Sequence, residues 1–401
     1  MDSLELIRGL ARPSPSKIVL LVIDGLGGLP HPKTGKTELE TARTPNLDKL
    51  AAAGICGLID PISPGITPGS TPGHLALFGY DPVKFNIGRG VVEAMGIDFD
   101  LKSGDVAARG NFCTVDEKGL ITDRRAGRMS TEKCAELCQL LKGLVIDGVK
   151  LSVLPVREHR FVIVFQGKGL APDVSDSDPQ QLGVAPKAVS ALNAKAKTMA
   201  TVANRFVEQA KIILAKRQPA NMLLLRGFSQ RPHLPTMSEI YKLKPAAIAA
   251  YPMYRGLAKL LGMQVLNTGA TIAEEITTLK ENFNVYDFFF LHIKKTDSAG
   301  EDGDFERKVK LIEETDNSLP VLTSLNPDVL MVTGDHSTPA TLKGHSWHPL
   351  PCVLNSRWCR PDRVGGFSET ACILGGLGHF PATQIMPLAM AHALKLAKFG
   401  A

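Results

Sequence analysis

Residues 17–24 read KIVLLVID, and this short stretch decides the fold. Six consecutive apolar residues, Ile18 to Ile23, show no polar alternation. A strand apolar on both faces belongs in the middle of a parallel sheet covered by helices on either side. The run stops on Asp24, followed by Gly25. In α/β sheets, ligands collect in the crevice beyond the carboxyl ends of the strands. An acid placed there is therefore a candidate ligand as well as a turn residue. The same grammar recurs twice further along. FFFLHI (288–293) runs into KKTDSAGED (294–302), which carries Asp297 and Glu301. DVLMVTG (328–334) runs into Asp335 and His336.

Two more segments complete a constellation. Ser70 lies in the Pro/Gly-dense TPGSTPGH (67–74), and His345 lies in KGHS (343–346). Carboxylates and imidazoles converging on one crevice, with a serine beside a turn, suit divalent metals and an activated hydroxyl. The candidate ligands are Asp24, Ser70, Asp297, Glu301, Asp335, His336 and His345, and the chemistry they suit is two-metal phosphoryl transfer or hydrolysis. Phosphate monoester hydrolysis is so slow uncatalysed that enzymes accelerate it by up to ~10²¹. Most of that comes from positioning and charge neutralisation. Two metals about 3.5–4 Å apart supply both, clamping the attacking and leaving oxygens.

The chain has 401 residues, 44% hydrophobic and 21% charged, which supports a sizeable core and argues against wholesale disorder. Net charge is +6, but the Lys and Arg residues are dispersed and few aromatics accompany them. That favours a small anionic substrate over nucleic acid. The apolar runs are strand-sized, far below the ~20 residues of a membrane span. Seven scattered cysteines predict reduced thiols and a cytoplasmic setting. A homo-oligomer is compatible with these features.

Thr44-Pro45 predicts a helix start, Thr as N-cap and Pro at the first position, with Gly54 as its stop. HLALFGY (74–80) reads as a helix start, which puts Ser70 in a loop near a helix N-terminus, where an anion is favoured. The character changes near Asp81-Pro82. Residues 85–160 are richer in charge and short strands, 167–184 have turn chemistry throughout, and about 185–217 read as one long helix. From MLLLRG (222–227) onward, apolar runs alternate with helical patterns again. The fold class is therefore α/β: a doubly wound, mostly parallel core of 1–84 and 218–401, interrupted by a smaller inserted α+β domain at 85–217. Residues 173–178, rich in acid, read as a solvated loop or as a loop near the insert's substrate face, with the solvated loop preferred.

VIDGLGG (22–28), TPNLDKLA (44–51), PGSTPGHLALFGYDP (68–82), KKTDSAGEDGDFERK (294–308), TGDHSTP (333–339) and KGHSWHPLP (343–351) together resemble the archaeal-type, cofactor-independent phosphoglycerate mutases of the alkaline phosphatase superfamily. ARGN (108–111), DRRAGR (123–128), HRFVIVF (159–165) and APDVSDSDP (171–179) extend the resemblance through the insert. It implies an alkaline-phosphatase-like core and interconversion of 3- and 2-phosphoglycerate in glycolysis and gluconeogenesis. The route it implies is a phosphoserine intermediate, with two divalent metals and without 2,3-bisphosphoglycerate. Manganese is the commonest metal, with magnesium, cobalt and zinc as other occupants. Ser70 is then the nucleophile. Asp24, Asp335 and His336 hold one metal beside its oxygen, and Asp297 and His345 hold the other. Most of the family carries His where this chain has Glu301, which puts the metal preference of the second site in question. Arg109, Arg125 and Arg128 match the insert's substrate clamp, and His159, Arg160, Arg255 and Lys295 are further substrate-binding candidates. Guanidinium forks suit both phosphate and carboxylate.

Two other readings stand beside this one. A metal-dependent phosphomonoesterase or phosphonate hydrolase on the same core would release phosphate faster than it forms isomer. A non-catalytic metabolite-binding protein, prompted by Glu301, need not hold two tight metals.

Overall fold

The structure is a computed structural model that describes residues 3–85 and 87–400. The chain divides into two compact units. The first comprises Met1–Asn86, Leu234–Tyr251 and Ala258–Ala401, and the second Ile87–His233 with Pro252–Leu257. Two described strands precede the second unit, β1 (Ile18–Ile23) and β2 (Ile55–Asp60). Within it lie β3 (Val106–Val115), β4 (Ile121–Asp123), β5 (Val145–Ile146), β6 (Val149–Arg157), β7 (Arg160–Gln166) and β8 (Met222–Ser229). After it come β9 (Pro245–Ala249), β10 (Gln264–Val265), β11 (Phe288–Ile293), β12 (Val329–Thr333), β13 (Leu350–Ser356) and β14 (Gly378–Pro381).

The first unit is built on a sheet of order β10-β9-β11-β1-β12-β13-β2-β14. Its neighbours pair in parallel except at β13, which is antiparallel to both β12 and β2. β1 sits between β11 and β12, and all six of its residues are buried. The parallel, doubly wound core read from the unbroken apolar runs is thus what forms. Because β11, β1 and β12 are adjacent and parallel, the acids that follow them leave the same sheet edge.

Local details depart from the sequence reading. The helix Pro45–Ala53 starts at Pro45, but the Thr44 side chain makes no capping bond. Asp316 takes over that role, its carboxylate accepting from the Asn46 and Leu47 amides at 3.1 and 2.7 Å. The helix after the Ser70 loop begins earlier than HLALFGY suggests: it spans Ser70–Leu77, so Ser70 is its first residue. The long helix expected over 185–217 is confined to Lys197–Leu214, preceded by a short 3-10 turn at Ala194–Ala196.

In the second unit an antiparallel sheet of order β4-β3-β7-β6-β5 is joined by β8, which pairs with β3. This corrects the expected boundaries of 85–217 for the insert and 218–401 for the returning core. MLLLRG is not a core strand: Met222 pairs with Cys113 and Leu225 with Gly110. The second unit therefore keeps the chain to His233 and takes Pro252–Leu257 as well. The loop at 173–178 is also less solvated than expected. Ser177 and Asp178 are buried, and both oxygens of Asp178 accept from the guanidinium of Arg124, at 3.1 and 2.7 Å. Among the described residues no helix is long and apolar enough to cross a membrane.

Candidate active site

Five chain segments deliver predicted ligands to one place in the first unit. Asp24 directly follows β1, and its amide donates to the Ile293 carbonyl at the end of β11. Asp335 and His336 follow β12 by one residue, Gly334. Asp297 sits in the first turn of the helix Lys295–Asp302, where a carboxylate is favoured by the helix dipole. Gly25 adopts a positive φ of 69°, and a Cβ there would lie 2.8 Å from the Asp297 backbone. Only glycine permits the β1 loop to pass so close to that helix.

The side chains form two overlapping groups. Ligand atoms of Asp24, Asp335 and His336 lie within 4.8 Å of one another, and so do those of Asp297, His336 and His345. His336 is thus common to both, where the sequence reading assigned it to the first alone. Its Nε2 stands 3.1 Å from Asp335 Oδ2 and 3.4 Å from Asp24 Oδ1. The same nitrogen lies 3.3 Å from Ser70 Oγ, so the proposed nucleophile touches the ligand cluster. His345 Nε2 is 3.6 Å from Asp297 Oδ1, and its Nδ1 lies 2.9 Å from the Pro68 carbonyl of the Ser70 loop. The His336 and His345 rings stack with centroids 3.6 Å apart.

Concentrating acids and imidazoles out of water has electrostatic consequences. Burial by itself would raise the Asp24 carboxyl, but Lys294, with His292 and His336, holds it well below the ordinary carboxylate range. Asp335 is raised by burial and by Asp24, yet His336 and His74 bring it below the usual value. Burial pushes His336 down, so its ring favours the neutral form that ligates metals. Asp335 Oδ2 is buried with the imidazole nitrogens of His74 and His336 each 3.1 Å away, a carboxylate oxygen set among ligand groups and able to take a cation. Carboxylates and imidazoles in these numbers fit divalent first-row ions.

A surrounding layer fixes these ligands. His292 Nε2 lies 3.0 Å from Asp24 Oδ2. His74 Nδ1 lies 3.1 Å from Asp335 Oδ2 and 2.8 Å from the Ser70 carbonyl. His74 thus stands between a ligand carboxylate and the backbone of the Ser70 turn. Lys308, fully buried, donates to the carbonyls of Gly27 and Thr338 at 2.9 Å each and so clamps the loops after β1 and β12 together.

Two predicted residues stand apart from this cluster. Glu301 is exposed and belongs to neither ligand group. It lies four residues after Asp297 in one helix, so both leave the same face. Lys295 is exposed and stands near Glu275 and Glu274. Its neighbour Lys294, which sequence reasoning missed, is the lysine at the site: Nζ lies 3.1 Å from Asp24 Oδ2 and bonds Asp297 Oδ2 as well. His348 lies outside both groups, stacked on Trp347.

The second unit gathers its own cations. His159 is almost fully buried, and its pKa is pushed down to about 3 by burial and by Arg160, Arg109, Arg125 and Arg128. Five of the seven substrate-binding candidates are therefore neighbours. Their surroundings differ. Arg109 Nη1 lies 3.7 Å from the buried Glu93, and Arg160 Nη1 bonds Glu158 at 3.4 Å. Arg125 and Arg128 are exposed. The turn that carries them is held by Asp123, which accepts from the amides of Arg125 and Gly127 at 2.7 and 2.6 Å. Arg255 is half-buried in the helix Pro252–Leu260.

Known proteins resemble the chain over its whole length. A family model described as 2,3-bisphosphoglycerate-independent phosphoglycerate mutase matches residues 51–221. A Thermotoga maritima protein named "Probable 2,3-bisphosphoglycerate-independent phosphoglycerate mutase" is 50% identical over 402 residues, covering 100% of both chains. A protein of the same name from Thermus thermophilus is 48% identical over 406 residues, again covering 100% of both. Among solved structures, the PH0037 protein of Pyrococcus horikoshii is similar with a TM-score of 0.83 at 31% identity, over 98% of this chain and 100% of that one. The cofactor-independent phosphoglycerate mutase of Thermoplasma acidophilum is similar with a TM-score of 0.68 at 31% identity, over 94% of this chain and 100% of that one.

Proposed function

The chain belongs to the 2,3-bisphosphoglycerate-independent phosphoglycerate mutase family, and from that premise we propose that it interconverts 3- and 2-phosphoglycerate through a phosphoserine at Ser70. It is an isomerase on this reading, acting within glycolysis and gluconeogenesis. The observation that carries the reading is the position of Ser70 Oγ, 3.3 Å from the imidazole shared by both ligand groups.

Asp24, Asp335 and His336 would hold one divalent cation beside Ser70. Asp297 and His345 would hold a second, with Glu301 the remaining carboxylate on the face of Asp297. When bound, the cations neutralise the phosphoryl group and lower the pKa of a nearby hydroxyl. Manganese suits a mixed carboxylate and imidazole set, and magnesium, cobalt and zinc are the other candidates. The chain's own groups do the rest. Ser70, first in its helix, offers its oxygen where the helix N-terminus favours negative charge. Its oxygen loses its proton and forms the new bond to phosphorus as the bond from phosphorus to the glycerate oxygen breaks, and the glycerate oxygen takes up one proton in exchange. Glycerate, held through its carboxylate by Arg125 and Arg128 of the cation cluster, turns and presents its other hydroxyl. That hydroxyl loses its proton as it takes the phosphoryl group back, and Ser70 is restored. Arg109, His159 and Arg160 shape the same cluster, with Arg255 and Lys295 as outer candidates. All seven cysteines are free and six are buried, which suits a reducing, cytoplasmic setting.

The test is an enolase-coupled assay on 3-phosphoglycerate. Activity should vanish on chelation, return with manganese, and show no response to 2,3-bisphosphoglycerate. Full activity after exhaustive chelation would refute the metal assignment. Release of inorganic phosphate outpacing 2-phosphoglycerate would refute the mutase assignment.

A further inference from the structure

We propose that Thr338 is a positioning residue that fixes the tautomer of His336 and links the two ligand groups, an inference that rests on the two-metal reading above. Thr338 is fully buried just past His336. Its Oγ1 lies 2.7 Å from Asp297 Oδ1 and 2.9 Å from His336 Nδ1. A threonine hydroxyl has one proton to give, and a carboxylate only accepts. The proton therefore points at Asp297, and only lone pairs remain toward His336. A neutral imidazole has one N–H, and this bond places it on Nδ1. Nε2 is left with its lone pair. That is the nitrogen facing Ser70 Oγ at 3.3 Å and Asp335 Oδ2 at 3.1 Å, where a cation of the first group would sit.

One hydroxyl thus aims a ligand of each group: it donates to Asp297 and accepts from His336. The rest of Thr338 is held so that the hydroxyl stays in place. Its amide donates to the Gly27 carbonyl at 3.0 Å, and its carbonyl accepts from Lys308 Nζ at 2.9 Å. His345, stacked on His336, limits the ring's rotation out of this geometry. Partners of this kind, bonded to the far side of a metal-ligating imidazole, set its orientation and basicity.

The experiment compares full-length wild type with Thr338→Val, which keeps the shape and removes the hydroxyl, and Thr338→Ser, which keeps the hydroxyl. Manganese affinity and stoichiometry are measured by equilibrium dialysis with metal analysis. The expected result is manganese affinity about 10- to 100-fold weaker in Thr338→Val and close to wild type in Thr338→Ser. Nitrogen NMR of histidine-labelled protein at about pH 8, before metal is added, reads the tautomer directly, since an ordinary imidazole is neutral there. The His336 signal, assigned by its loss in His336→Asn, should be the Nδ1–H form in wild type and Thr338→Ser and a mixture in Thr338→Val. An Nε2–H form in wild type would overturn the proposal even if the valine variant does not fold. Wild-type manganese affinity and tautomer in Thr338→Val would also overturn it. If wild type binds no manganese, the two-metal reading falls, and the spectrum still judges the relay.

Discussion

Nε2 of His292 stands 3.0 Å from Oδ2 of Asp24, and both side chains are fully buried. The pairing register explains it: β11 lies beside β1, with His292 opposite Val22, so the imidazole projects toward the acid that ends the strand. His292 is thus a donor built into the sheet for a ligand carboxylate. Replacing it with Leu keeps the volume and removes the donor. Manganese affinity should fall about 10- to 100-fold, with the sheet intact by circular dichroism. Unchanged affinity in equilibrium dialysis would show that Asp24 needs no such support.

Glu301 stands where the resemblance implies a histidine. If it completes the second cation site, Glu301→Ala should lower affinity at that site while the group of Asp24, Asp335 and His336 keeps its metal. Glu301→His should retain two metals and shift preference from magnesium toward zinc or cobalt, which favour imidazole. Metal analysis across added ions checks this. Two metals bound by Glu301→Ala with unchanged affinity would make Glu301 an ordinary surface acid.

His159 gives a dependence on pH whose sign is fixed. Burial and four arginines push its pKa down to about 3, while an unfolded imidazole titrates near ~6.5. The folded value lies below the unfolded one. Its contribution is therefore complete above the unfolded pKa and is lost as pH falls toward the folded value. The stability advantage of wild type over His159→Gln, from urea unfolding, should shrink as pH drops from about 6.5 toward about 4. An advantage that stays constant over that window would mean that His159 is not held neutral.

Much of the first unit was legible because its decisive signals are local. An apolar run ending in an acid marks both a buried strand and a residue at its carboxyl end, and Asp24, Asp335 and His336 needed no more than that. The failures come from partners distant in sequence. MLLLRG carries the same apolar signal whether it joins the parallel core or, as it does, pairs antiparallel with β3. Asp178 reads as a turn acid until the fork of Arg124, 54 residues earlier, is seen to bury it. Lys294 and Lys295 differ only in where the following helix begins, and that alone decides which one reaches Asp24.

The central claim is that Ser70 carries the phosphoryl group. Wild type quenched during turnover of 3-phosphoglycerate, digested and mapped by mass spectrometry should show one phosphorylated peptide with the phosphate on Ser70. Ser70→Ala should show none and lose mutase activity by about 10³-fold or more. Phosphate on Thr71 or another residue, or activity near wild type in Ser70→Ala, would contradict the account.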